Sequence, residues 1–148
     1  MNDNILKLEN QLCFPLYVAA KEVVNRYKPF LDDIGLTYTQ YIAMMVLWDN
    51  KTISVKDLGS YLYLDSGTLT PLLKRLESKG YVRRTRSEDD ERVMNIHITK
   101  EGEQLKERAV EIPGQIINCL PLSQEEAETL YQLLYKLIRS MNCKETAK

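Results

Sequence analysis

Cys13 sits in the apolar stretch LENQLCFPLY, residues 8–17. A thiol there is either a small packing residue or a nucleophile whose oxidation state is read. Cys119 and Cys143 lie far along the chain, and His97 is the single histidine. No CxxC pair forms and no zinc ligand set is present, so neither a metal nor a cofactor is expected. Without a secretion signal, the cysteines read as free thiols in a cytoplasmic protein. Nine tyrosines against two phenylalanines supply an excess of phenol donors.

A second chemistry lies further on. The net charge is −1, yet Pro71–Ser87 carries Lys74, Arg75, Lys79, Arg83, Arg84 and Arg86 against Glu77 alone, a local charge of +5. Phosphate contacts respond to local rather than total charge, so this stripe fits nucleic acid. A solvated basic face is the bland alternative.

These groups need elements to position them. A chain of 148 residues, 44% hydrophobic and 28% charged, reads as one globular domain. No apolar run of about 18 residues predicts a membrane span. Leu12, Leu16, Ala19, Ala20, Val23 and Tyr27 predict a first helix over about residues 6–28. Pro15 predicts a kink or a late start near Cys13, and Pro29 and Gly35 predict a loop. Thr37 opens TYTQ, a capping box for a second helix that DNKT breaks. Ser54 caps a short third helix, and Asp65 caps a fourth that ends at Gly80. Thr70 with Pro71 is an alternative start for that fourth helix. YVRRTR and RVMNIHIT predict a hairpin around SEDDE. Thr99 caps a fifth helix interrupted at Pro113, and Ser123 with Glu126 caps the last.

A short helix, a tight turn, a longer helix and a basic hairpin make a mainly α fold with a small β-hairpin wing (α+β), a winged helix-turn-helix. Its second helix is expected in the major groove of double-stranded DNA, with Ser66, Thr68, Thr70, Lys74 and Arg75 toward bases or phosphates. Arg84 and Arg86 belong to the same basic set. The hairpin tip carries Arg86 and Arg92, and an arginine there suits the minor groove, with Asp90 holding Arg92 by a charge-assisted bond. Residues about 37–98 form this DNA-binding core. Helices at about 6–36 and 100–143 carry wide apolar faces and are expected to form a homodimer that spans a pseudo-palindromic operator, with half-sites about 34–36 Å apart.

LENQLCFPLY, YKPFLDDIGLTYTQYIAMMVLW, LYLDSGTLTPLLKRLESKGYVRRTR and DDER closely resemble the MarR family of winged-helix regulators. Within it, the resemblance is sharper to the organic-hydroperoxide-sensing repressors called OhrR. It spans nearly the whole chain, most strongly residues 8–98. The resemblance implies a reactive Cys13, with Tyr27 and Tyr38 of the other subunit as hydrogen-bond partners of its sulfur and Tyr17 as a further site tyrosine. Pro15 departs from the small non-proline residues usual there. Cys119 matches the position of the resolving cysteine in two-cysteine members, where the disulfide joins subunits. Such closure needs α-carbons within about 7 Å, so helices must move. Cys143 reads as incidental.

The implied chemistry is coherent. Thiolate attacks peroxide oxygen, and phenols donating to sulfur favour the anion, as does a helix N-terminus. Leu12, Phe14 and Leu16 would favour an alkyl or lipid hydroperoxide as inducer over hydrogen peroxide. Oxidation yields a sulfenic acid that condenses with a second thiol. The expectation is a redox-released repressor and not an enzyme. A regulator released by a small aromatic ligand and a thiol peroxidase are the alternatives.

Overall fold

The computed structural model describes residues 4–142; Cys143 lies outside the described residues. The chain divides after Gly114 into two compact units.

In the first unit, a single 3-10 turn at Leu8–Asn10 precedes helix α1 (Cys13–Ile34). The expected helix over residues 6–28 therefore starts later and ends later. Pro15 falls in the first turn, where backbone N–H groups have no intrahelical partner, so its missing donor costs no bond. Its ring would clash with the Gln11 carbonyl if the helix began earlier, and Gln11 is extended, with ψ 112. Pro29 does not open a loop as expected but lies inside α1. It deprives only the Asn25 carbonyl of a donor, and both residues are exposed, where water can substitute. The helix ends at Gly35, whose φ of 71 is the left-handed conformation that favours glycine. Among the residues of α1 only Leu31 and Ile34 are buried.

Helix α2 (Tyr38–Asn50) starts at the expected capping box: Thr37 Oγ1 accepts from the Gln40 amide at 3.3 Å and Gln40 Oε1 from the Thr37 amide at 3.1 Å. A strand that pattern reading missed, β1 (Thr52–Ser54), follows. Ser54 caps α3 (Val55–Leu62) through the Asp57 amide at 3.0 Å. Asp65 caps α4 (Ser66–Ser78) through the Thr68 amide at 2.7 Å, so α4 takes the earlier start and holds Pro71 inside. Strands β2 (Val82–Arg86) and β3 (Met94–Ile98) form the hairpin, and the antiparallel sheet order is β1-β3-β2. Val82 opposes Ile98, Arg84 opposes Ile96, and Ile53 opposes the same Ile96. The fifth helix is two helices, α5 (Lys100–Ala109) and α6 (Ile112–Cys119). The break falls at Val110–Glu111, and Pro113 sits in the first turn of α6, which proline tolerates.

The core gathers Leu31, Ile34 and Leu36 with Tyr41, Met44 and Leu47 of α2, Leu58 of α3, Leu69, Leu72, Leu73 and Leu76 of α4, and Ile96 of β3. Trp48 donates from Nε1 to the Gly102 carbonyl at 2.8 Å, joining α2 to α5. His97, between two strands, has Nδ1 3.1 Å from Thr52 Oγ1 and Nε2 2.7 Å from Thr85 Oγ1. It stitches all three strands, the structural role its alternating strand suggests.

The second unit contains α7 (Gln124–Asn142), capped by the expected box of Ser123 and Glu126. None of its residues is buried, and Leu130, Leu133, Leu137 and Met141 are all exposed. Among the described residues no helix is long and apolar enough to cross a membrane.

The α3–α4 turn depends on Gly59. A β-carbon there would lie 2.6 Å from the Leu64 carbonyl oxygen and 3.3 Å from Leu69 Cδ1. The first of these is backbone and cannot swing aside. Gly59→Ala is expected to destabilise the fold by about 1–3 kcal/mol, measured as a lower denaturation midpoint with an unchanged slope.

Candidate thiol site and nucleic-acid interface

Cys13 is the first residue of α1 and is exposed in the single chain. Tyr17, one turn on, is also exposed, as are Leu12, Phe14 and Leu16. Tyr27 lies fourteen residues along the same helix. At about 1.5 Å per residue, that is about 21 Å from Cys13. Tyr27 packs on Tyr38 at the start of α2, ring centroids 4.9 Å apart. Tyr41 joins both, at 5.9 Å from Tyr27 and 6.4 Å from Tyr38, and meets Trp48 at 6.3 Å. One chain thus brings Tyr27, Tyr38 and Tyr41 together but leaves its own sulfur, with Tyr17, toward the opposite end of α1.

Burial pushes the Tyr27 phenol above its ordinary range, and the neighbouring Tyr38 adds to this. Tyr41 is raised by burial and then by Tyr27 and Tyr38. Phenols shifted this way stay protonated at and above neutrality, so Tyr27 is an O–H donor. Beside this cluster, Tyr41, Met45, Trp48, Lys106, Ala109 and Val110 line a largely apolar pocket of about 260 Å³. Pattern reading placed Tyr41 only on the apolar side of α2. The Tyr-x-x-Tyr spacing at 38 and 41 is the signal that the two could share a face. Cys119 ends α6 in the second unit and is exposed.

The residues expected to face DNA lie on the exposed side of α4. The four leucines of α4 are buried, while Ser66, Thr68, Thr70, Lys74 and Arg75 are exposed. Ser66, Thr70 and Lys74 fall four apart and share one row. The Thr70 hydroxyl donates to the Ser66 carbonyl at 2.8 Å, so only its acceptor side is open. At the hairpin tip, Asp90 Oδ1 accepts from Arg92 Nε at 3.1 Å and from its amide at 3.0 Å, and Oδ2 accepts from Nη2 at 3.2 Å. These bonds hold the Asp90 carboxyl below its usual range. The Arg92 side chain is nevertheless 90% exposed. Arg86 donates from Nη1 to the Glu91 carbonyl at 2.9 Å and helps shape the tip.

Arg84 differs from expectation. Its amide and Nε both donate to Glu77, at 3.2 and 2.7 Å. Its register opposite buried Ile96 turns it toward α4. The Arg84 bonds hold the Glu77 carboxyl below its usual range. A lowered carboxyl stabilises the fold above its unfolded value and loses that contribution only as acidification passes the lowered value. The pair is therefore intact at neutral pH.

The sequence profile of the SarA/Rot transcriptional regulators matches residues 25–109. The organic hydroperoxide resistance transcriptional regulator of Bacillus subtilis is 49% identical over 139 residues, covering 94% of this chain and 95% of that protein. Among solved structures, reduced AbfR of Staphylococcus epidermidis bound to DNA superposes with a TM-score of 0.81 at 34% identity, over 96% of this chain and 97% of that one. Disulfide-formed AbfR superposes with a TM-score of 0.66 at 38% identity, over 91% and 95%. With its capped α3–α4 pair, arginine-tipped hairpin and thiol at the head of α1, the chain belongs to the MarR-type winged helix-turn-helix transcriptional regulators, in the branch of the organic hydroperoxide resistance regulators.

Proposed function

We propose that the chain is a homodimeric repressor that binds a pseudo-palindromic operator and releases it when an organic hydroperoxide oxidises Cys13. One observation carries this reading: an exposed thiol heads α1, while Tyr27, further along the same helix, packs on Tyr38 of α2. About 21 Å of rigid helix keeps them apart within one chain. A second copy packed antiparallel along α1 brings Tyr27 and Tyr38 to the sulfur. Exposed apolar residues on the free part of α1 and along α7 support that association. The relatives are transcriptional regulators, and this chain acts stoichiometrically in the cytoplasm rather than as an enzyme.

The Cys13 thiolate attacks the terminal peroxide oxygen. The O–O bond breaks, sulfur is oxidised to sulfenic acid, and the peroxide leaves as alkoxide, which takes a proton to become the alcohol. The Cys119 thiol of the partner subunit then attacks the sulfenic sulfur, forming the disulfide and releasing water. AbfR, solved both on DNA and with its disulfide formed, supports an oxidation-controlled reading of this fold.

Cys13→Ser is expected to retain operator binding and to remain bound after tert-butyl hydroperoxide; a gel shift that shows normal release by this variant would falsify the sensor role. Cys119→Ser is expected to abolish the crosslinked dimer on a non-reducing gel after oxidation, and a persisting crosslink removes Cys119 from the scheme. Arg92→Ala is expected to weaken operator binding about tenfold and to lower the salt slope by about one. Unchanged affinity across a salt series discards the wing contact.

A further inference from the structure

Glu77 is the one acid in the basic segment from Pro71 to Ser87. A carboxylate there opposes a polyanion, and as the penultimate residue of α4 it also faces the negative end of the helix dipole. Its place needs another reason. Both its oxygens are occupied by one residue: Oε1 by the Arg84 amide at 3.2 Å and Oε2 by Arg84 Nε at 2.7 Å. The Arg84 and Glu77 side chains are 25% and 34% exposed, against 55% and 48% for the surface pair of Lys51 and Glu103. Arg84 is the middle residue of β2, at the base of the wing.

We propose that Glu77 and Arg84 are a pair of positioning residues that set the reach of the wing relative to α4, so that the Arg92 tip and the Ser66–Thr70–Lys74 row engage one duplex together. Arg84 then orients the interface instead of touching phosphate. Two bonds to one carboxylate fix both the strand backbone and the side chain. The tip lies about 15 Å beyond Arg84 at strand rise, so a swing of about 10° at the base moves it by about 3 Å. That exceeds the tolerance of a hydrogen bond. The inference rests on the DNA-binding reading above.

A plain charge effect and a positioning role predict opposite signs for the loss of Glu77. The test uses full-length wild type, Glu77→Gln, Glu77→Asp and Arg84→Met. Affinity is titrated across potassium chloride concentrations for the DNA immediately upstream of the protein's own coding region and for a scrambled duplex. Each variant is expected to bind the upstream duplex about tenfold more weakly with an unchanged salt slope. The double variant Glu77→Gln/Arg84→Met should be no weaker than the worse single one. Glu77→Asp keeps the charge but shortens the reach by a methylene, and it should fall with the others. Equal or tighter binding by Glu77→Gln overturns the proposal. So does wild-type behaviour in Glu77→Asp, or a slope lowered by about one in Arg84→Met, the mark of a lost phosphate contact. If wild type does not prefer the upstream duplex, the DNA-binding reading fails instead. Hydrogen exchange on the free protein then decides the clamp: the Arg84 amide and residues 85–93 should exchange faster in Glu77→Ala, and unchanged exchange overturns it.

Discussion

An α-helix rises a fixed distance per residue, and α1 runs unbroken from Cys13 to Ile34. That constraint organises the molecule. At one end, Leu31 and Ile34 are sunk in the core. The Asp33 carbonyl accepts from Arg108 and the Gly35 carbonyl from Lys79, cations placed where a helix dipole is negative. At the other end, Cys13 is exposed. The helix is a rod anchored at its C-terminal end, with the exposed thiol as its first residue. Within one chain Tyr27 lies about 21 Å along α1 from that sulfur, so the proposed sensing reaction draws its phenols from a second copy.

The DNA-facing half is built on a different economy. Four buried leucines fasten α4 to the core, so every short hydroxyl and cation on the helix is turned outward. Lys79, at the C-cap of α4, also reaches the Gln40 side chain at 3.4 Å. The ends of α1 and α4 and the start of α2, whose first residue Tyr38 belongs to the phenol cluster, therefore meet at one ammonium. A displacement of α1 has a short physical route to the recognition helix.

Much of this is legible in the sequence because cap chemistry is local. Thr37, Ser54, Asp65, Thr99 and Ser123 each announce a helix start within four residues, and each accepts the expected amide. The Asp90–Arg92 pair is legible for the same reason. What escaped depends on distant partners or on burial. Strand β1 is three residues long and exists only because β3, more than forty residues away, pairs with it. Pro29 reads as a breaker, but the carbonyl it strands is wet. Arg84 counts as one more cation until its register turns it inward to Glu77. The phenol cluster is visible as tyrosine excess, yet which rings touch follows from how α1 crosses α2.

His97 is the lone imidazole of the chain. Both nitrogens of His97 face threonine hydroxyls, and a hydroxyl can give or receive a proton in a hydrogen bond. The imidazole can donate from one nitrogen to one threonine and accept at the other nitrogen from the second. Whichever nitrogen carries the proton, both threonines keep a partner and the seam through the wing's base holds. Strand β1, only three residues long, is thereby tied to the hairpin by a clasp that works in both orientations.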